Sequence, residues 1–153
     1  APMLVDAAID TSCFEQKLKD VLNLQLPDPC PGCAEYAEGG LTNIYVALAD
    51  AFPNASFGLG SADADFVGVN LLNRESTACG GAAVNIFNYR FGLLRLRDDV
   101  LVPTPNWSTY FWSGVTHTYT QSDDLYFADL SPGLSPAQWW ATVLDGDVSH
   151  IAP

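Results

Sequence analysis

The sequence predicts an α+β fold in which two N-terminal helices pack on a curved, mostly antiparallel sheet, cone-like or barrel-like, followed by a short C-terminal helix. Three patterns predict it. Aromatic and β-branched residues alternate with a period of two between Cys79 and Leu130, the signature of a sheet. Apolar residues recur at helical spacing in two stretches before Pro53. Ser135-Pro136 then supplies a hydroxyl cap and a first-turn proline, which together make a helix start. The alternative organisation is a small all-β barrel with decorating helices. At 153 residues and 48% hydrophobic composition, the chain is expected to form a single domain, residues 1–153, with its own core.

Residues 1–11 carry no periodicity and receive no assignment. Ser12 and Glu15 have capping-box spacing, and Phe14, Leu18, Val21 and Leu22 form the stripe of a first helix that ends before Pro27. The run Pro27-Asp28-Pro29-Cys30-Pro31-Gly32-Cys33 is a rigid loop, because proline fixes φ and lacks a donor. After Gly39-Gly40, the residues Leu41, Ile44, Tyr45, Leu48 and Phe52 mark a second helix, stopped at Pro53-Asn54. Gly58 to Asp65 reads as a turn-like approach to a strand over Phe66, Val67, Val69, Leu71 and Leu72. Long strands follow over 82–97, 106–120 and 123–130, with Gly92 as a bend, Pro103-Thr104-Pro105 as a connection and Asp123-Asp124 at the last hairpin. The expected total is a meander of roughly four to six strands. Trp140, Val143 and Leu144 continue the final helix, and Gly146 closes it.

Acidic residues outnumber basic ones 18 to 6, and a net charge of −12 repels phosphate backbones and anionic lipid. Nucleic acid is therefore excluded as a partner. No apolar run reaches the roughly 18 residues that span a bilayer. The chain opens Ala1-Pro2 without an initiator methionine, as a mature protein does once a leader is removed. Cys13, Cys30, Cys33 and Cys79 predict two disulfides and an oxidising compartment. Longer-range pairing is favoured, with the Cys30–Cys33 loop pinned to Cys13 and Cys79, because closing a longer loop constrains the unfolded chain more. Asn54-Ala55-Ser56 and Asn106-Trp107-Ser108 are sequons, so Asn54 and Asn106 are candidate glycosylation sites. Together these features predict a secreted glycoprotein.

The candidate chemistry centres on the 106–120 strand, where Trp107, Phe111, Val115, His117 and Tyr119 share a face. A desolvated His117 there acts as a base or bonds a ligand; the alternative is a satisfied core histidine. Phe87, Tyr89, Phe91, Phe111, Trp112 and Tyr119 are expected to line an apolar pocket. Cys30-Pro31-Gly32-Cys33 has redox-dithiol spacing, but Pro-Asp-Pro precedes it where a strand is needed, which favours a structural disulfide. Asp63 and Asp65 lack the glycine and distal glutamate of a calcium-binding hand and read as a solvated turn. Arg90, Arg95 and Arg97 offset neighbouring aspartates in preference to pairing a ligand carboxylate.

The ligand set for zinc, a serine-hydrolase elbow and a glycine-rich phosphate loop are all missing, so no cofactor is expected. The leading functional expectation is a secreted binding protein for a small apolar or aromatic molecule. One alternative is a cofactor-free isomerase, cyclase or lyase that uses His117 and an aspartate. The other is an extracellular interaction protein or assembly subunit, a homo-oligomer included, whose aromatic strand face meets another chain.

Overall fold

In the two stretches with helical apolar spacing, the chain forms α1 (Ser12–Leu22) and α2 (Asn43–Ala51). A computed structural model describes residues 12–23, 25–26, 28–33, 40–118, 122–130 and 133–153. Glu15, expected to help cap α1, turns inward instead and is 1% exposed. Its Oε1 accepts the Leu41 N–H at 2.9 Å, and Lys19 lies 3.9 Å away on the same helix face. The bond ties α1 to the 3-10 turn Gly40–Thr42 that opens α2. Cys13 pairs with Cys79 across 66 residues, and Cys30 pairs with Cys33. The expected pinning of the Cys30–Cys33 loop to Cys13 and Cys79 is corrected: α1 lies against the end of α3 (Phe66–Ala78), so Cys13 meets Cys79 there.

The sheet differs from the sequence expectation. Its strands β1 (Phe57–Ala62), β2 (Trp107–Trp112) and β3 (His150–Ile151) run parallel in the order β1-β2-β3, with Phe57 opposite Trp107 and Ala62 opposite Trp112. The fold is α+β with six α-helices among the described residues and an open, three-stranded parallel sheet. Neither a curved antiparallel cone or barrel nor an all-β barrel forms. Parallel neighbours need a long crossover, and the residues between β1 and β2 supply it as helices.

The strand expected over residues 66–72 is the start of α3, and β1 occupies the stretch that reads as a turn. The strand expected over 82–97 is α4 (Ile86–Arg95), continued by a π-helical turn, Leu96–Leu101. Asn85 caps α4 by accepting the Phe87 and Asn88 N–H groups, while Asn88 accepts the Asn85 N–H in return. Asp123-Asp124 opens a one-turn helix, α5 (Asp123–Tyr126), rather than a hairpin. The 106–120 strand ends at Trp112, so His117 stands beyond it.

All six residues of β2 are buried, as in a parallel strand covered on both faces. Phe111 packs with Phe14, Leu72, Val84, Tyr89 and Leu93, towards α1, α3 and α4. Tyr110 and Trp112 pack with Trp139 and Val143 of α6 (Pro136–Leu144) on the other face. Burying Phe111 or Leu93 stabilises the fold by about 1.5–3 kcal/mol each. Trp107 stacks on Phe57 at 4.9 Å and donates its ring N–H to the Tyr45 carbonyl at 2.9 Å, which anchors the start of β2. A Cβ at Gly58 would lie 2.7 Å from the Trp140 ring, so the missing side chain lets α6 approach β1. The predicted helix start at Ser135 is present, with Ser135 and Gln138 in a capping box. Among the described residues, no helix is long and apolar enough to cross a membrane.

Candidate functional site

Because β1 and β2 are parallel, their carboxyl ends lie at one edge of the sheet, where open α/β sheets place ligands and catalytic groups. The chain leaves β1 through Asp63-Ala64-Asp65 and leaves β2 through Ser113 to His117. Backbone bonds hold the two exits together: Asp63 N–H to the Trp112 carbonyl at 2.9 Å, Ala64 N–H to Gly114 at 3.0 Å and Phe66 N–H to Val115 at 3.2 Å. Asp63 adds a side-chain clamp, since its Oδ1 accepts the Gly114 N–H at 3.0 Å and its Oδ2 lies 3.3 Å from the Arg90 guanidinium. This lacing delivers His117 to Asp65. The imidazole Nδ1 stands 2.8 Å from Asp65 Oδ2 and 3.0 Å from Oδ1.

Asp65 is the N-cap of α3, 3% exposed, and its Oδ1 accepts the Gly68 N–H at 2.8 Å. The carboxylate therefore sits at the positive end of a 13-residue helix. The His117 side chain, by contrast, is 40% exposed. An ionised carboxylate can only accept, so Nδ1 is the ring nitrogen that carries the hydrogen towards Asp65, and in the neutral ring Nε2 carries the lone pair. No other hydrogen bond engages His117 among the described residues. A buried carboxylate that fixes the tautomer of a partly exposed imidazole leaves that ring able to accept a proton or to bond a ligand.

Support lies directly behind the pair. A Cβ at Gly68 would come within 3.0 Å of the Tyr89 hydroxyl, so glycine lets α3 lie on α4 while its N–H reaches Asp65. The Tyr89 hydroxyl is 3.2 Å from Ser61 Oγ on β1. Burial pushes the Tyr89 phenol up to about 12; the Ser61 hydrogen bond opposes the shift and the Asp65 charge adds to it. It stays neutral beside the carboxylate.

The residues expected to line one aromatic pocket are dispersed. Tyr89 and Phe111 share the cluster on the α3–α4 side, whereas Trp112 belongs to the cluster against α6. Phe87 is 85% exposed and Phe91 58% exposed on α4, and Tyr119 lies outside the described residues. An apolar recess occurs elsewhere: an open groove of about 610 Å³ along α3, lined by Phe66, Val67 and Leu71 with Asn70, Asn73 and Arg74. It begins at the residue after Asp65. Arg90, Arg95 and Arg97 each pair an aspartate, namely Asp63, Asp99 and Asp98. His150 lies on β3 with its Nδ1 3.2 Å from Thr109 Oγ1, and burial, followed by the Arg97 charge, lowers its pKa. Among the described residues, no group of three or more His, Cys, Asp or Glu side chains is placed to hold a metal ion.

Sequence reasoning nominated His117 but placed Asp65 in a solvated turn. The signal for Asp65 was its position as a helix cap, and reading residues 66–72 as a strand hid it. No family model matches the chain, and neither a curated protein nor a solved structure similar to it was found.

Proposed function

We propose that the protein is a hydrolase of acyl esters in which His117, oriented by Asp65, is the general base. The observation that carries this is the Asp65–His117 pair, with Nδ1 bound to the carboxylate and the imidazole side chain 40% exposed at the carboxyl edge of parallel strands. Nε2 takes a proton from an attacking water as the water oxygen bonds to the ester carbonyl carbon and the carbonyl π pair moves onto its oxygen. The imidazolium that forms faces the Asp65 carboxylate, which stabilises it. When the ester C–O bond breaks, the same proton passes from Nε2 to the departing alkoxide, and the alcohol leaves.

Solvent exposure favours hydrolysis over the isomerase, cyclase or lyase chemistry considered from sequence. A base that removes a proton from carbon works best in a site that excludes water, whereas a 40% exposed imidazole meets water directly. The open groove along α3, which starts at Phe66 and is lined by neither Asp65 nor His117, supports an apolar or aromatic acyl group as the part of the substrate that binds. An extracellular location belongs to the same proposal, and the two cysteine pairs are compatible with it.

The test is release of nitrophenolate from p-nitrophenyl acetate and butyrate by the wild-type chain and by His117→Ala. The expected loss of kcat/KM in the variant is about 10²–10⁴-fold. Equal rates in the two proteins contradict the proposal. Saturable binding of an apolar fluorescent probe by a wild type that turns over neither ester would favour the ligand-binding alternative.

A further inference from the structure

The two sequons look equivalent in sequence and occupy very different places in the fold. Asn54 lies on the exposed turn after α2, and Ser56, the hydroxyl residue of its sequon, is exposed as well. No hydrogen bond engages the Asn54 side chain among the described residues. A sugar attached there would extend into solvent.

Asn106 is half-buried at the entrance to the sheet. Its backbone is left-handed, with φ 62°, at the residue before β2. Its Nδ2 donates to the Phe52 carbonyl at 3.1 Å, its own carbonyl accepts the Phe57 N–H at 2.8 Å, and its Oδ1 is buried. The rest of that sequon is internal too: Trp107 is 5% exposed and Ser108 is 1% exposed. The Ser108 hydroxyl is held between the Asp147 carbonyl and the Ser149 N–H. A sugar on Asn106 Nδ2 would wedge into the contact between the turn after α2 and the start of β2, where Phe57 stacks on Trp107.

We propose that Asn54 is an N-glycan acceptor and that Asn106 carries no glycan in the folded, exported protein. The inference rests on the extracellular part of the functional proposal and is independent of the hydrolytic part. In the transfer, a bond forms between Asn54 Nδ2 and C1 of an oligosaccharide. The bond from that C1 to a lipid-linked diphosphate breaks, and the diphosphate leaves as the amide gives up one proton. The transferring machinery meets the chain before it has folded, so the discrimination lies in what the fold accepts. A glycan at Asn54 leaves these bonds intact, whereas one at Asn106 replaces one of the two Nδ2 hydrogens beside the Phe52 carbonyl and crowds the turn after α2 against the start of β2.

The experiment is export of the full chain from a eukaryotic host, followed by enzymatic glycan removal in heavy-oxygen water and peptide mass spectrometry. The expected result is the heavy-aspartate label at position 54 and unmodified asparagine at position 106. Ser56→Ala, which keeps Asn54 but destroys its sequon, should yield an exported protein with no glycan, while Asn106→Gln leaves the glycan in place. Label at position 106 in the exported protein, or no label at position 54, overturns the inference.

Discussion

Tyr89 is the residue at which burial has its most measurable consequence. Its phenol is raised from 10.0 to about 12 in the folded protein, so an unfolded chain gives up this proton first as pH rises. The stabilisation from the neutral, buried phenol is complete below pH 10 and is lost as pH climbs from there towards 12, because the folded state then holds the extra proton. The loss amounts to about 2–3 kcal/mol by the upper end. Urea unfolding of the wild type and of Tyr89→Phe between neutral pH and pH 11 checks it. The wild type should lose stability more steeply above pH 10, and parallel profiles would show that Tyr89 does not govern the slope. At this scale the sequence was half legible. His117 stood out because histidine is rare in the chain and aromatics surround it. Its partner is one of many aspartates, and what distinguishes Asp65 is burial at a helix cap, which only the folded chain displays.

Among the elements, α4 shows why the sheet was over-read. Phe87, Tyr89, Phe91 and Leu93 alternate as a strand would, yet Tyr89, Leu93 and Leu96 also recur at helical spacing and are the residues the core takes up. Phe87 and Phe91 completed the false alternation from the exposed side of the helix. The Asn85–Asn88 capping box was the local signal against a strand. In α3, Asp65 at one end and Gly80 just beyond the other bracket a helix whose Val67 and Val69 suggest a strand. The helices over 12–22, 43–51 and 136–144 were legible because apolar spacing agreed with their start or stop residues. The α3–α4 contact carries its own test. Alanine in place of Gly68 gains helix propensity of about 1 kcal/mol, but its Cβ would press on the Tyr89 hydroxyl at 3.0 Å. Tyr89 is fully buried and held by Ser61, so it has little room to yield. Overpacking wins, and Gly68→Ala should destabilise the protein by about 1–3 kcal/mol in denaturant unfolding. A neutral or stabilised variant would mean that the two helices separate more easily than their packing implies.

Across the whole molecule, the site is a product of topology. Asp65 and His117 are 52 residues apart in sequence and meet because β1 and β2 run parallel and end at the same edge. An antiparallel meander would have set these exits at opposite ends of the sheet, which is why the sequence reading had a candidate base and no geometry for it. The parallel arrangement was hidden because β2 is buried on both faces: its alternation separates two cores, not core from solvent. The most direct test of the Asp65–His117 pair as an oriented base is the nitrogen NMR spectrum of the neutral His117 ring in the folded chain, assigned against His150 by His150→Gln. The account predicts a proton on Nδ1, a bare Nε2, and loss of that tautomer preference in Asp65→Ala; a proton on Nε2, or a spectrum unchanged by removing Asp65, would contradict it.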